Sequence, residues 1–440
     1  AKRFAQNIFS VTRQIHFSEA EPAKSADMVI FINGLPIITI ELKNAWTGQQ
    51  AWQARKQYMR RDKNIPLFNF ARCVVHLAVD TDEAWMTTKL NGDDTFFLPF
   101  NKGFNFGKGN PPNQGGHRSS YLWEEVLTKE SLANILEHFV VLVEEKKRDP
   151  LSKKTLYFPR YHQLDVTRRL LDDVREKGIG HTYLIQHSAG SGKSNSITWT
   201  AYQLIELYAK DENRPIFDSV IVVTDRTVLD KQLRDNISDF SEVKNIVAHA
   251  KSAADLKKSL EESKKIIITT IQKFPVIVDG IDDLSDRKFA VIIDEAHSSQ
   301  SGISHDKLNI TLGIDEEEQE EPLDPQDIVL RAMEGRKLGR NASYFAFTAT
   351  PKNATLEKFG EETPDKKFVP FHLYSMKQAI EEGFILDVLA NYTTYKSYYE
   401  IKKSILDNPL FETKRAQKKL RAFVEGDQET IAVKAEIITQ

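Results

Sequence analysis

The chain has one cysteine, Cys73, in 440 residues. Disulfide staples and cysteine-based zinc sites are therefore excluded, and the apolar run Arg72-Cys73-Val74-Val75 is the setting of a buried core thiol. No apolar run approaches the ~18 residues that span a bilayer, so no membrane segment is expected. Neither sign of charge dominates: 60 Lys and Arg stand against 63 Asp and Glu, a formal charge of −3. There is no global basic field for a polyanion, and any nucleic-acid surface must be local. The opening Ala1-Lys2-Arg3-Phe4 has no charged-then-apolar leader, so a cytoplasmic location is the expectation. At the other end, the helical pattern from Glu429 to Gln440 carries no Gly or Pro stop signal, which reads as a fragment of a longer protein.

A chain of this length exceeds the ~250–300 residues at which one core stops growing, so two or three domains are expected. From Ile8 to Leu98, β-branched runs alternate with one polar helical pattern at 49–62, and a Gly/Asn/Pro stretch follows at 101–116. Residues 132–143 are apolar at helical spacing and give way to the charged run 144–150, placing a boundary near 150. From Tyr161 onward, helical patterns alternate with apolar strands at 182–186, 219–224, 265–270, 289–294 and 343–348. That alternation predicts an α/β fold with a mostly parallel sheet covered on both faces. The acidic stretch 315–321 reads as an exposed loop.

The strand ending at Gln186 runs into His187-Ser188-Ala189-Gly190-Ser191-Gly192-Lys193-Ser194 and then into a helical pattern. This is the pattern of a phosphate-cradling loop, although His187 stands where the simplest motif has its first glycine. Gly190, Ser191 and Gly192 would bring backbone amides onto the β- and γ-phosphates, Lys193 would supply a point charge, and the Ser194 hydroxyl would ligate Mg²⁺. About a hundred residues later, Asp294 and Glu295 end an apolar strand, where open parallel sheets present ligand groups. Asp294 would hold the metal and Glu295 would activate the attacking water.

The order of these segments resembles the first RecA-like lobe of superfamily 2 helicases and translocases, over roughly 158–390. That resemblance makes Gln163, in Arg160-Tyr161-His162-Gln163, a reader of the adenine edge. It assigns Asp225 and Arg226 to a second conserved segment at a strand end, and Thr269, Thr270 and Gln272 to DNA-backbone tracking. Thr348 and Thr350, in Phe347-Thr348-Ala349-Thr350-Pro351, would couple hydrolysis to movement, with His297 in a coupling role by analogy. ATP and Mg²⁺ are the implied cofactors.

Nearer the N-terminus, residues 27–43 read as a hairpin around Asn33-Gly34. In its second strand Ile38, Ile40 and Leu42 share one face while Thr39, Glu41 and Lys43 share the other. A strictly two-residue turn sets Asp27 opposite Ile40, whereas a three-residue loop or one bulge sets it opposite Glu41. Two carboxylates on one face suit a divalent metal held by oxygen ligands, with Lys43 placed to stabilise phosphorane charge. Asp27 followed by Glu41-x-Lys43 resembles the PD-(D/E)xK nucleases. Asn33-Gly34-Leu35-Pro36 with Ile40-Glu41-Leu42-Lys43-Asn44 resembles the nuclease of type I restriction endonuclease R subunits.

These nucleases carry a Gln followed four residues later by Tyr on the next helix, but Gln53 precedes Tyr58 by five, so only Tyr58 is retained as a candidate. Trp46, Trp52 and Trp85 read as packing residues. The resemblance implies a restriction-endonuclease-like domain at 1–150, a first RecA-like motor lobe at 151–390 and the start of a second lobe at 391–440. The expected function is an ATP-dependent double-stranded DNA translocase and Mg²⁺-dependent endonuclease subunit of a prokaryotic complex, with methyltransferase and specificity subunits as partners. The competing readings are a superfamily 2 helicase or remodeller, and a motor lobe with a non-catalytic N-terminal DNA-binding or assembly module.

Overall fold

In the computed structural model of the protein, residues 4–144, 149–210, 213–224, 246–250, 252–294, 325–333 and 341–387 are described. Asp225, Arg226, Glu295, His297, the acidic stretch 315–321 and the segment 391–440 lie outside them. Residues 1–385 cluster as one compact unit.

The N-terminal sheet is mixed, in the order β1 (Phe9–His16), β2 (Ser25–Ile32), β3 (Leu35–Leu42), β4 (Val75–Val79), β5 (Ala84–Thr87), β6 (Leu98–Pro99). All neighbours are antiparallel except β3 and β4, which run parallel. A parallel pair needs a crossover, and here the crossover carries helix α1 (Ala51–Met59). The α1 N-terminus is tied to the end of β4, because Asp80 Oδ2 accepts from the Ala51 amide at 2.8 Å. Asn33 (φ 52°) and Gly34 (φ 80°) form the two-residue turn between β2 and β3, with both residues left-handed as a primed hairpin turn requires.

Pairing runs Ile32 with Leu35 and Phe31 with Pro36, then slips by one so that Ile30 meets Ile38 and Met28 meets Ile40. The turn is thus two residues long and a single bulge supplies the shift. The next position along brings Asp27 level with Glu41.

The region expected to be helical at 132–143 divides. Helix α2 (Lys129–His138) is followed by β7 (Val141–Val143), which pairs antiparallel with β8 (Thr155–Tyr157). The valines of that run favour a pleated partner over a further helical turn.

The second sheet is entirely parallel, in the order β11-β12-β10-β13-β14-β9-β17. Its strands are β9 (Thr182–His187), β10 (Ser219–Thr224), β11 (Val247–His249), β12 (Ile266–Thr270), β13 (Phe289–Asp294), β14 (Ala342–Thr348) and β17 (His372–Tyr374); β15 (Glu361–Glu362) and β16 (Phe368–Val369) form a separate small ladder. β10, β13 and β14 are buried at every residue, which is why they read as continuous apolar runs. Helix α3 (Tyr161–Lys177) precedes β9, and α4 (Lys193–Ile205) follows it. One apolar cluster joins Ile38, Ile40 and Leu77 of the first sheet to Phe139, to Leu164 of α3 and to Trp199 of α4. The core of the first sheet therefore extends onto two helices of the second layer, α3 and α4, and Cys73 is a buried thiol as expected.

Candidate functional site

On the second face of β3, Thr39 and Glu41 are fully buried and Lys43 is half-buried. Glu41 Oε1 receives Arg61 Nη2 at 2.5 Å, and Glu41 Oε2 receives the Gln57 amide at 2.7 Å. Gln57 Oε1 in turn accepts from Lys43 Nζ at 2.6 Å. Asp27 Oδ2 accepts from the Leu42 amide at 2.8 Å, which fixes its carboxylate beside the Glu41 strand. Burial pushes the Glu41 carboxyl up to about 7 against the pull of Arg61, and the neighbouring Asp27 carboxylate adds to the rise.

Tyr58 belongs to the layer beneath. It is fully buried, its hydroxyl meets Thr39 Oγ1 at 2.8 Å, and its ring packs against Phe68, His76 and Phe97. Its hydroxyl is engaged by Thr39, and burial together with the nearby Glu41 carboxylate holds it well above the usual phenol range, so it stands behind the carboxylates as a neutral neighbour. The residues that do reach Glu41, Gln57 and Arg61, were missed by sequence reasoning. Their signal was present: counted from Gln57 rather than Gln53, Arg61 stands four residues on, where the family pattern has Tyr. Trp46 is 90% exposed, so it is not a packing residue as expected.

The donor set at this site is oxygen only. Two carboxylates meeting across paired strands suit a hard divalent cation whose remaining positions go to water and substrate. Among the described residues no cluster of three or more His, Cys, Asp or Glu offers a fuller cage.

In the second sheet, β9 ends at His187 and α4 begins at Lys193, so the phosphate-loop sequence forms the connection. Gly190 (φ +71°) and Gly192 (φ +76°) are left-handed, and a Cβ at Gly192 would lie 2.5 Å from Gln163 Nε2. The loop carbonyls are bound from the protein side. Gly190 O accepts from Arg160 Nη1 at 3.1 Å, while Gln163 Nε2 donates to Ser191 O and Gly192 O, both at 3.1 Å. Lys193 Nζ rests on His187 O at 3.1 Å and Ser188 O at 3.4 Å. Burial lowers the Lys193 ammonium, and Asp294 at the end of β13 opposes that shift.

Ser191 Oγ and Thr348 Oγ1 are buried without a hydrogen-bond partner among the described residues. Left-handed glycines, a desolvated ammonium, a strand-end carboxylate and unpartnered hydroxyls together fit a bound polyphosphate with its cation. Ser194 is half-buried at the start of α4.

Gln163 departs from its expected role. It is 3% exposed, its Oε1 accepts from the Arg160 amide at 2.8 Å and its amino group is spent on loop carbonyls, so it braces the loop and has no group turned to an adenine edge. His187, in place of the first glycine, is buried against His372 at 2.8 Å, and His372 meets Asp165 at 3.0 Å. Thr269 also differs from expectation: it is 2% exposed and its hydroxyl donates to Ala250 O at 3.2 Å, which leaves it no access to a DNA backbone. Thr270 Oγ1 accepts from Lys273 Nζ at 2.9 Å, and Gln272 is half-buried in the turn after β12. Thr350 contributes its carbonyl to Gln326 Nε2 at 3.2 Å, tying the end of β14 to helix Pro325–Met333.

A parallel sheet with a phosphate loop after β9 and an acidic strand end at β13 defines a P-loop nucleotide-binding lobe of RecA-like type. The chain belongs to the SWI2/SNF2 ATPase family, whose model matches residues 162–422, and residues 1–95 match the model for the type I restriction enzyme R protein N terminus. The chain is 26% identical over 404 residues to the type I restriction enzyme SsaAORF53P endonuclease subunit of Staphylococcus saprophyticus, covering 89% of this chain and 37% of that protein. It is 24% identical over 449 residues to the type I restriction enzyme HindI endonuclease subunit of Haemophilus influenzae, covering 98% of this chain and 39% of that protein. Among solved structures, the ATP-dependent Type ISP restriction-modification enzyme LlaBIII bound to DNA aligns at 16% identity and a TM-score of 0.31, covering 54% of this chain and 16% of that one. The chain thus spans less than two fifths of the curated relatives it matches. No helix among the described residues is long and apolar enough to cross a membrane.

Proposed function

We propose that this chain carries the nuclease and the first motor lobe of a type I restriction-modification enzyme. It would use ATP to pull double-stranded DNA and a Mg²⁺-dependent centre to cut it. The division follows as residues 1–150 for the nuclease, 151–390 for the first lobe and 391–440 for the start of the second. Methyltransferase and specificity subunits would supply modification and site recognition.

The observation that carries the reading is the one-residue bulge in β3, after which Met28 pairs with Ile40 and the Asp27 and Glu41 carboxyls interact, with Lys43 linked to Glu41 through Gln57. At this centre Asp27 and Glu41 would hold Mg²⁺, which when bound supplies Lewis acidity and lowers the pKa of a water molecule. Lys43, held by Gln57, stabilises charge developing on the attacked phosphate. In the motor lobe Lys193 binds the β- and γ-phosphates, with Ser194 and Asp294 as the groups for the nucleotide's cation. Glu295 orients the water attacking the γ-phosphate. Asp225, Arg226, Thr270, Gln272, His297, Thr348 and Thr350 remain the coupling and DNA-tracking set.

The test is cleavage of unmethylated circular DNA by the full-length subunit with its methylation and specificity partners, ATP and Mg²⁺. Lys193→Ala should abolish both ATP hydrolysis and cutting, while Glu41→Ala should abolish cutting alone. Normal cutting by Glu41→Ala would make the N-terminal region a binding module and overturn the nuclease assignment.

A further inference from the structure

Both carboxylate oxygens of Glu41 already have donors, and one of those donors carries a full charge. Arg61 Nη2 lies 2.5 Å from Glu41 Oε1, with the two side chains 6% and 0% exposed. The same nitrogen donates to Ser25 O at 2.6 Å. The guanidinium lies over the rings of Phe17 and Phe68, at 4.7 and 5.5 Å, while its Nε has no partner among the described residues. Among the described residues its hydrogen bonds all run through this one terminal nitrogen. Arg61 also lines a groove of about 580 Å³ together with Lys24, Lys43, Trp52, Lys56 and Arg60. A buried carboxylate must be paired with a cation. Here the protein supplies one of its own at the position a metal ligand should leave open.

We propose that Arg61 is a resident cation of the nuclease centre. It neutralises Glu41 until a divalent ion replaces it, and the displaced guanidinium then turns into the basic groove, where it meets the phosphate backbone of DNA. Metal loading and substrate binding are coupled by this exchange. The inference rests on Asp27 and Glu41 being the metal ligands.

The exchange makes the free protein a weak metal binder, which calorimetric titration with Mn²⁺ in the absence of nucleotide and DNA reads directly. Arg61→Gln should bind Mn²⁺ about ten-fold more tightly than the wild type, because the ion no longer competes with a buried pair. Arg61→Lys keeps the charge and should restore weak binding. Equal or weaker binding by Arg61→Gln overturns the proposal. A second measurement uses the unaltered chain: modification of Arg61 by p-hydroxyphenylglyoxal, followed by mass spectrometry, should rise when Mn²⁺ is added, and unchanged labelling overturns the exchange. Glu41→Gln separates the two levels of inference. If it takes up Mn²⁺ as the wild type does, the metal site itself is wrong; if it loses the ion while Arg61→Gln is unchanged, only the resident cation is.

Discussion

Trp199 donates its indole N–H to the Phe139 carbonyl at 3.1 Å, and the two rings lie 5.6 Å apart. Trp199 is six residues beyond Lys193 on α4, whereas Phe139 ends the α2 segment that packs beneath the N-terminal sheet. The helix that starts at the phosphate loop is therefore anchored in the core of the other sheet. Trp199→Ala removes a fully buried indole and should cost about 3–5 kcal/mol. Denaturant unfolding followed separately by near-UV signals and by nucleotide binding should show both transitions moving together. If nucleotide binding survives at the wild-type denaturant concentration, the shared core does not link the two parts.

The phosphate loop gives a sharper test of geometry. Gly192→Ala places a methyl group 2.5 Å from Gln163 Nε2 at a left-handed backbone position, so both strain and collision oppose it. Binding of a fluorescent ATP analogue should fall by at least ~10-fold, which corresponds to about 1.4 kcal/mol. Gln163→Ala in the same chain removes the collision but leaves the backbone strain and also takes away the brace on Ser191 O and Gly192 O, so it should restore at most part of the loss. Full restoration would mean that neither φ at this position nor the brace carries a cost.

The strands β9, β10, β12, β13 and β14 were legible because burial on both faces writes an unbroken apolar run, and the loop at 187–194 because phosphate chemistry demands glycine, lysine and serine at fixed spacing. The hairpin was legible up to its register. Whether Asp27 faces Ile40 or Glu41 depends on one unpaired residue near Ile37, and a bulge in an apolar strand leaves no compositional mark. Gln57 and Arg61 escape a reading that starts from Gln53 and ends on Tyr58, because Tyr58 is one position past Gln57 and so is turned about 100° from it on the helix. Gln163 was legible as a site residue but not in its task, since its bonds are to carbonyls that only the folded loop brings near. The shared core at Trp199 had no local signal at all.

Acid titration separates two buried groups that pull in opposite directions. Burial lowers His76 to about 4 from its ordinary 6.5. Between those values the unfolded chain holds a proton that the folded chain does not, so His76 makes stability fall as pH falls. Glu41 rises to about 7 from 4.5. Between those values the folded chain holds the proton, so Glu41 makes stability fall as pH rises. In the overlap, roughly pH 4.5 to 6.5, each full proton difference contributes a slope of about 1.4 kcal/mol per pH unit. His76→Gln should make stability rise less steeply with pH in that window, and Glu41→Gln should make it rise more steeply. Urea unfolding at several pH values measures both slopes, and a shift of the same sign in the two variants would contradict the assignment.

Gln57 touches both Glu41 and Lys43, donating to the first at 2.7 Å and accepting from the second at 2.6 Å. A neutral amide can do both, and neither a carboxylate nor an ammonium can. Gln57→Met keeps the length and apolar stem but leaves Lys43 without its acceptor and Glu41 with one donor fewer. Groups that orient ligands and charge-stabilising residues typically carry 10–100-fold in activity, so DNA cleavage by the assembled enzyme should drop by about that factor while ATP hydrolysis stays unchanged. Gln57→Glu retains an acceptor for Lys43 but sets a second carboxylate against Glu41, which repels that oxygen and favours keeping a proton there at neutral pH. Its cleavage should therefore recover as pH is raised, whereas that of Gln57→Met should not. Identical pH profiles for the two variants would show that Gln57 only fills space between α1 and β3.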